Sequence, residues 1–128
     1  YTYLGYGLLV YALVQLRRAL GLGRIPAPAS HFQPAVTLVV PAYNERTYLP
    51  GKIENSLAQT YPPDRLRLLF VTEGSTDGST EYLRQRQADL GDRLTVLGGH
   101  ARAGKVTAMN RAVQHVNTPL VVFSDANT

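Results

Sequence analysis

The sequence predicts an α/β protein built on a parallel sheet with helices on both faces. Short apolar, β-branched runs alternate with stretches of helical spacing from Val36 to Phe123, four strands and three helices in all. Each run stops abruptly at a polar or glycine-rich segment, as strands of a buried parallel sheet do. No internal repeat or low-complexity stretch interrupts the series. Ligands on such sheets bind in the crevice at the carboxyl ends of the strands.

The chain of 128 residues allows one small domain, and 45% apolar residues suffice for a packed core. Cysteine is absent, which excludes a disulfide frame, thiol chemistry and a zinc–thiolate site. The net charge of +4 suits an anionic ligand, nucleic acid or an anionic membrane face and selects none of them. For most of these charges the plainer reading is a solvated surface.

Residues 1–16 carry no charge, and Arg17 and Arg18 come directly after them. The stretch is slightly short of the ~20 residues that cross a bilayer. No basic residue precedes it, so a signal peptide is the wrong template. Tyrosines near its start suit an interfacial belt, and the arginines suit a cytoplasmic end. Residues 1–20 are read as the end of a membrane helix; a soluble amphipathic helix is the competing reading. In the membrane reading, the rest of the chain is cytoplasmic. Residues 21–34 hold Pro26, Pro28 and Pro34 and read as an extended linker. The globular part spans 35–128.

Val36–Val40 is the first strand. Asn44 is expected to cap a helix from Tyr48 to Gln59, with Leu49, Ile53 and Leu57 on one face and Pro50 in its first turn. Leu66–Val71 is the second strand. Thr76 or Ser79 is expected to cap a helix reaching about Ala88. Arg93–Leu97 is the third strand, broken by Gly98-Gly99. Val106, Met109, Val113 and Val116 keep helical spacing, which predicts a helix over Lys105–His115. Leu120–Phe123 reads as a buried strand and stops at Ser124-Asp125-Ala126-Asn127.

Three strand ends are polar and turn-rich: Pro41–Glu45, Thr72–Gly78 and Ser124–Asn127. The fourth leads into Gly98–Lys105. Asp125 and Asn127 stand two apart, so in an extended segment both point to one side. A carboxylate and an amide oxygen there suit one hard cation, Mg²⁺ or Mn²⁺. The ends together offer Glu45, Glu73, Asp77 and Asp125, the ring of Tyr43, and Arg102 and Lys105 before a helix N-terminus. Basic groups at a helix N-terminus suit phosphate. Together they suit a nucleoside diphosphate carrying a metal. Each residue also has a plainer reading. Tyr43 can pack on the helix behind it, Glu45 and Asp77 can answer a helix dipole, and Arg102 and Lys105 can be solvated. His100 and His115 stand apart and receive no role. No G-x-G-x-x-G follows the first strand and no G-x-x-x-x-G-K-[ST] is present, which weighs against NAD and a P-loop.

Five blocks resemble the family 2 glycosyltransferases of the GT-A fold. They are Val39–Glu45, Lys52–Pro62, Thr72–Gly78, Gly104–Asn110 and Val121–Asn127. More narrowly, the chain is similar to the membrane-bound cellulose-synthase-like branch, which includes hyaluronan and poly-N-acetylglucosamine synthases. The resemblance implies the N-terminal half of a GT-A domain, with a Rossmann-like three-layer sheet. It implies a metal-dependent, inverting transfer from a UDP-sugar to a glycan or lipid acceptor, on the cytoplasmic side of the inner or plasma membrane. Pro41, Ala42 and Tyr43 would line the base and ribose pocket, with Glu45 near the nucleoside. Glu73 stands where the family usually has an aspartate that holds uracil. Arg102 and Lys105 would approach the diphosphate. Asp125 and Asn127 match the D-x-D motif that binds Mg²⁺ or Mn²⁺.

Two departures matter. Glu73 is one methylene longer than aspartate, and Asn127 carries no charge where an aspartate is common. Relatives place the catalytic aspartate and a Q-x-x-R-W motif after the D-x-D segment, so the base is expected beyond Thr128 and the 128 residues alone are expected not to transfer sugar. Two other readings stay open: a nucleotide-sugar-binding module without catalysis, and a sugar nucleotidyltransferase. Nucleic-acid binding is disfavoured, since the aromatics do not interleave with the basic residues on a sheet face.

Overall fold

A computed structural model describes residues 2–21, 32–99, 101–102 and 104–127. The chain divides into two compact units, Tyr1–Phe32 and Gln33–Thr128. The first holds helix α1, Thr2–Ala19, with Arg17 and Arg18 in its last turn. Among the described residues no helix is long and apolar enough to cross a membrane. Most of the linker expected over 21–34, including Pro26 and Pro28, lies outside the described residues.

The second unit is the predicted alternation: β1 (Val36–Pro41), α2 (Leu49–Leu57), β2 (Leu66–Glu73), α3 (Ser79–Leu90), a 3-10 turn at Gly91–Arg93, β3 (Leu94–Gly99), α4 (Lys105–Val113) and β4 (Leu120–Phe123). All neighbouring strands are parallel, in the order β3-β2-β1-β4. The chain moves outward from β1 to β2 to β3, then returns to the other side of β1. The switch point therefore lies between β1 and β4, where such sheets open a ligand crevice.

Alternation along the strands builds two cores. Leu38 and Val40 of β1 and Leu68 and Phe70 of β2 face Leu49 and Ile53 of α2 and Leu83 of α3. Val39, Leu69 and Val71 face the opposite side, under Ala108 and Ala112 of α4. Side chains two apart on a strand share a face, so one apolar run serves both layers. The result is three layers, α2 and α3, the sheet, and α4.

Several local expectations are corrected. Asn44 does not cap α2, whose N-cap is Tyr48 without a side-chain bond. Asn44 takes a left-handed backbone, φ 53°, and works between loops. Neither Thr76 nor Ser79 caps α3; Gly78 holds the N-cap position, and the Asp77 carboxylate accepts from the Ser79 amide at 3.0 Å. Gly98 and Gly99 do not break β3; they pair in register with Thr72 and Glu73. The ladder uses backbone groups only, and neighbouring side chains fill the space a Cβ would take.

The apolar spacing of α4 also points the wrong way. Val106 and Val113 are exposed, while Ala108 and Ala112 are buried. Small residues let the helix lie close on the sheet. Last, β4 is not a buried strand: Leu120, Val122 and Phe123 are all exposed by more than two fifths. Among the described residues β4 pairs only with β1, at the edge of the sheet, and α4 packs over β1 and β2.

Candidate functional site

At the switch point a cavity of about 300 Å³ opens over the carboxyl ends of β1, β2 and β4. Pro41, Ala42, Tyr43 and Glu45 line it from β1, Val71 and Glu73 from β2, and Asp125 and Asn127 from β4. Arg102, Gly104, Lys105 and Ala108 close it from the β3–α4 loop and the start of α4. The nine residues singled out from the strand ends by chemistry and resemblance thus share one cavity. Asp77 does not line it.

Two loops form the rim, and short polar bonds join them. Asn44 accepts from the Thr76 amide at 2.8 Å and gives its own amide to Ser75 Oγ at 3.2 Å. Asp77 Oδ2 accepts from the Arg46 amide at 2.9 Å, and its Oδ1 from Ser79 Oγ at 2.6 Å. Slight burial pushes the Asp77 carboxyl up, but the bonds from Ser79 and Arg46 outweigh it and hold it below 3.8. Asp77 is therefore a clamp between loops rather than a group of the cavity. The guanidinium of Arg102 lies 4.3 Å from the Tyr43 ring centre, stacking the β3–α4 loop on the β1 loop. Gly74 permits that approach. It has φ 68°, and a Cβ there would come within 2.8 Å of the Arg102 amide nitrogen.

The carboxylates of the cavity differ in surroundings. Glu45 is partly buried, and its Oε2 has no hydrogen-bond partner among the described residues. Desolvation first, then repulsion from Asp125 and Asp77, raises its pKa above 4.5, against the pull of Lys105. Glu73 is only 8% exposed; Arg111 Nη1 lies 3.3 Å from its Oε1, and its buried Oε2 has no partner among the described residues. Asp125 is half exposed, with Lys105 Nζ 2.5 Å from its Oδ1.

The Asp125–Asn127 pair offers two oxygen donors. Among the described residues no group of three or more His, Cys, Asp or Glu side chains could hold a metal by itself. The set fits a hard divalent cation that draws its other ligands from water and a diphosphate, the usual habit of Mg²⁺ at phosphate sites. The ammonium of Lys105 already sits on Asp125, which marks that oxygen as a place for positive charge.

Sequence reasoning missed Arg111 and the pairing of Lys105 with Asp125. The signal for Arg111 was a cation set between Ala108 and Ala112 on the sheet-facing side of a predicted helix. The pairing had no signal, because Lys105 and Asp125 are far apart in sequence.

Comparison with known proteins agrees with this geometry. The family profile described as Glycosyl transferase family 2 matches residues 37–127. The chain belongs to glycosyltransferase family 2. Among curated relatives, the glycosyltransferase AglE of Haloferax volcanii is 29% identical over 94 residues, covering 73% of this chain and 31% of that protein. Among solved structures, the mannosyltransferase PcManGT from Pyrobaculum calidifontis, in complex with GDP-Man and Mn²⁺, superposes with TM-score 0.74 and 32% identity, covering 98% of this chain and 37% of that one. S. aureus TarS 1-349 in complex with UDP gives TM-score 0.62 and 25% identity over 73% of this chain and 27% of that one. The chain spans 12% to 38% of the length of three curated relatives.

Proposed function

We propose that the cavity binds a nucleoside diphosphate sugar, UDP-linked, and that the protein transfers the sugar with inversion to a glycan or lipid acceptor. The observation that carries this reading is the meeting of four things in one crevice: a buried carboxylate, an aromatic ring, two cations at a helix start, and the Asp125–Asn127 oxygens. Tyr43 and Arg102 form a stacked wall against which a base and ribose can lie. Glu73 has a buried oxygen, without a partner among the described residues, to accept a base N–H. Lys105 and the α4 N-terminus can take up diphosphate charge.

Asp125 and Asn127 are the residues that would hold Mg²⁺ or Mn²⁺, which when bound neutralises charge on the departing diphosphate. Lys105 must then move from Asp125 onto the phosphates, where it serves the same charge. In a direct displacement, the acceptor hydroxyl oxygen attacks the anomeric carbon. The bond to the diphosphate oxygen breaks with its electron pair leaving on the diphosphate, and the hydroxyl proton passes to a base. None of the twelve residues that line the cavity is assigned that base.

The membrane assignment is part of the same proposal. Helix α1 has no charge before Arg17 and Arg18, and its apolar residues from Tyr6 to Leu16 are exposed. It would place the second unit at the cytoplasmic face of an inner or plasma membrane.

The test is calorimetric titration of UDP into the full chain with and without Mn²⁺, beside Asp125→Ala. Metal-dependent binding that is lost in the variant is expected. Equal, metal-independent binding by both proteins would overturn the assignment of Asp125. GDP belongs in the same series, because PcManGT was solved with GDP-Man.

A further inference from the structure

Glu73 and Arg111 form a unit whose chemistry goes further than holding a nucleotide. Glu73 ends β2, and Arg111 stands on the sheet-facing side of α4. Arg111 Nη1 donates to Glu73 Oε1 at 3.3 Å, and its Nη2 donates to the Gly98 carbonyl at 3.3 Å. The guanidinium is thus fixed at two points, one on β3 and one on β2. Glu73 is 8% exposed, so its charge is stable there only with a partner. The opposite oxygen, Oε2, is buried and without a partner among the described residues, on a side chain that lines the cavity. Arg111 itself does not line the cavity. It acts through Glu73.

The strand beside them is shaped for this pair. A Cβ on Gly99 would lie 3.2 Å from Arg111 Nη1 and 3.3 Å from Glu73 Cγ. Both contacts are tight, so the glycine leaves room for a carboxylate arm one methylene longer than aspartate and for the cation behind it.

We infer that Arg111 is a specificity-determining residue: by holding Oε1 of Glu73 it fixes the carboxylate and leaves Oε2, which has no partner among the described residues, as the acceptor for a base, which selects a base with one ring N–H and no adjacent amino donor. The inference rests on the proposed nucleotide reading and deepens it. A free carboxylate presents two oxygens side by side and pairs with the adjacent ring N–H and amino group of guanine. With Oε1 turned to Arg111, the guanine amino group has to share that oxygen with the guanidinium, and a buried donor with a poor partner is costly. Uracil asks for only one acceptor. The ring nitrogen of cytosine at that place is itself an acceptor and faces the carboxylate unfavourably. The order of preference is uracil, guanine, cytosine, and Arg111 sets the gap between the first two.

The experiment measures dissociation constants of UDP, GDP and CDP with Mn²⁺ for the full chain as wild type, Arg111→Ala and Arg111→Lys. The wild type is expected to bind UDP at least about tenfold more tightly than GDP, the scale of one unmatched polar group. Arg111→Ala is expected to weaken UDP about tenfold and to bring UDP and GDP within about threefold of each other. Arg111→Lys, which keeps the charge, is expected to hold UDP affinity within about threefold of wild type.

A double variant guards against a purely structural effect. On a Glu73→Gln background, Arg111→Ala should change UDP affinity by less than about twofold, because the two residues act as one unit. It also keeps the test open if Arg111→Ala alone does not fold, since no buried charge is then stranded. Wild-type binding of UDP with an unchanged UDP-to-GDP ratio in Arg111→Ala would overturn this inference alone. So would a wild type that prefers GDP. A wild type that binds none of the three would overturn the nucleotide reading and the inference with it.

Discussion

Strand β2 lies between two neighbours, with helices over both faces, and seven of its eight residues are buried. Strand β4 is as apolar in sequence, but among the described residues it has one neighbour and no residue of it is fully buried. Each leads to an acid at its carboxyl end. At the end of β2, Glu73 is sunk between Arg111 and the cavity wall, with one oxygen committed and the other without a partner among the described residues. At the end of β4, Asp125 is half exposed and shares an oxygen with the long-chained Lys105. The difference teaches that one cavity can hold two kinds of carboxylate. In the proposed function, the one that would read hydrogen bonds gains from rigidity and dryness. The one that would exchange an ammonium for a hydrated cation gains from exposure.

The largest effect expected from this contrast is in stability. Phe70→Ala in β2 removes a side chain with 0% exposure from the first core and should cost about 3–5 kcal/mol. Phe123→Ala in β4 starts from 43% exposure and should cost less than ~1 kcal/mol. Urea unfolding of both variants checks the pair. Equal losses would break the comparison, since β4 would then carry as much of the packing as β2.

Next in size is the turn that seals the β2 end. Gly74→Ala meets two penalties, a left-handed backbone and a Cβ placed 2.8 Å from the Arg102 amide nitrogen. We expect a loss of about 1–3 kcal/mol. The shift of Arg102 off the Tyr43 ring should weaken UDP binding as well. Unfolding and calorimetry on one preparation test both parts, and an unaltered UDP affinity would show that the stacked wall is not used.

A smaller effect is expected at the β4 end. The Lys105–Asp125 pair is more than two fifths exposed on both sides. Lys105→Ala should therefore change unfolding free energy by less than ~1 kcal/mol. In the proposed function its effect falls on diphosphate binding. If unfolding shifted by several kcal/mol, Asp125 would resemble Glu73 after all, and the contrast between the two ends would fail.

The strands and helices were readable because each apolar run is short, flanked by turn residues and separated from the next by a helical period. The cavity was readable because such sheets place ligands at strand ends, and the five blocks put the acids there. What escaped depends on neighbours distant in sequence. Val106, Met109 and Val113 of α4 make a better apolar stripe than Ala108 and Ala112, yet the alanines face the sheet because close approach needs small side chains. Leu120–Phe123 reads the same whether a strand is central or at an edge. Asn44 looks like a cap, and only the fold brings Thr76 within its reach at 2.8 Å.

The smallest effect is a pH dependence of opposite sign at two acids of the rim. Glu45 is raised above 4.5 by desolvation and by repulsion from Asp125 and Asp77. The folded state therefore holds its proton more tightly than the unfolded chain. That contribution is fully present below about 4.5 and is lost as pH rises through the raised folded value. Asp77 is lowered below 3.8, with the hydrogen bonds from Ser79 and Arg46 overcoming slight desolvation. Its contribution is present above 3.8 and is lost as pH falls through the lowered folded value. Glu45→Gln should accordingly gain stability at pH 7 relative to wild type and lose that advantage in acid. Asp77→Asn should lose stability at pH 7 and match wild type once the pH is below the folded value of Asp77. Urea midpoints across an acid-to-neutral series check both, and parallel curves for the two variants would mean that the rim carboxylates do not differ as their surroundings require.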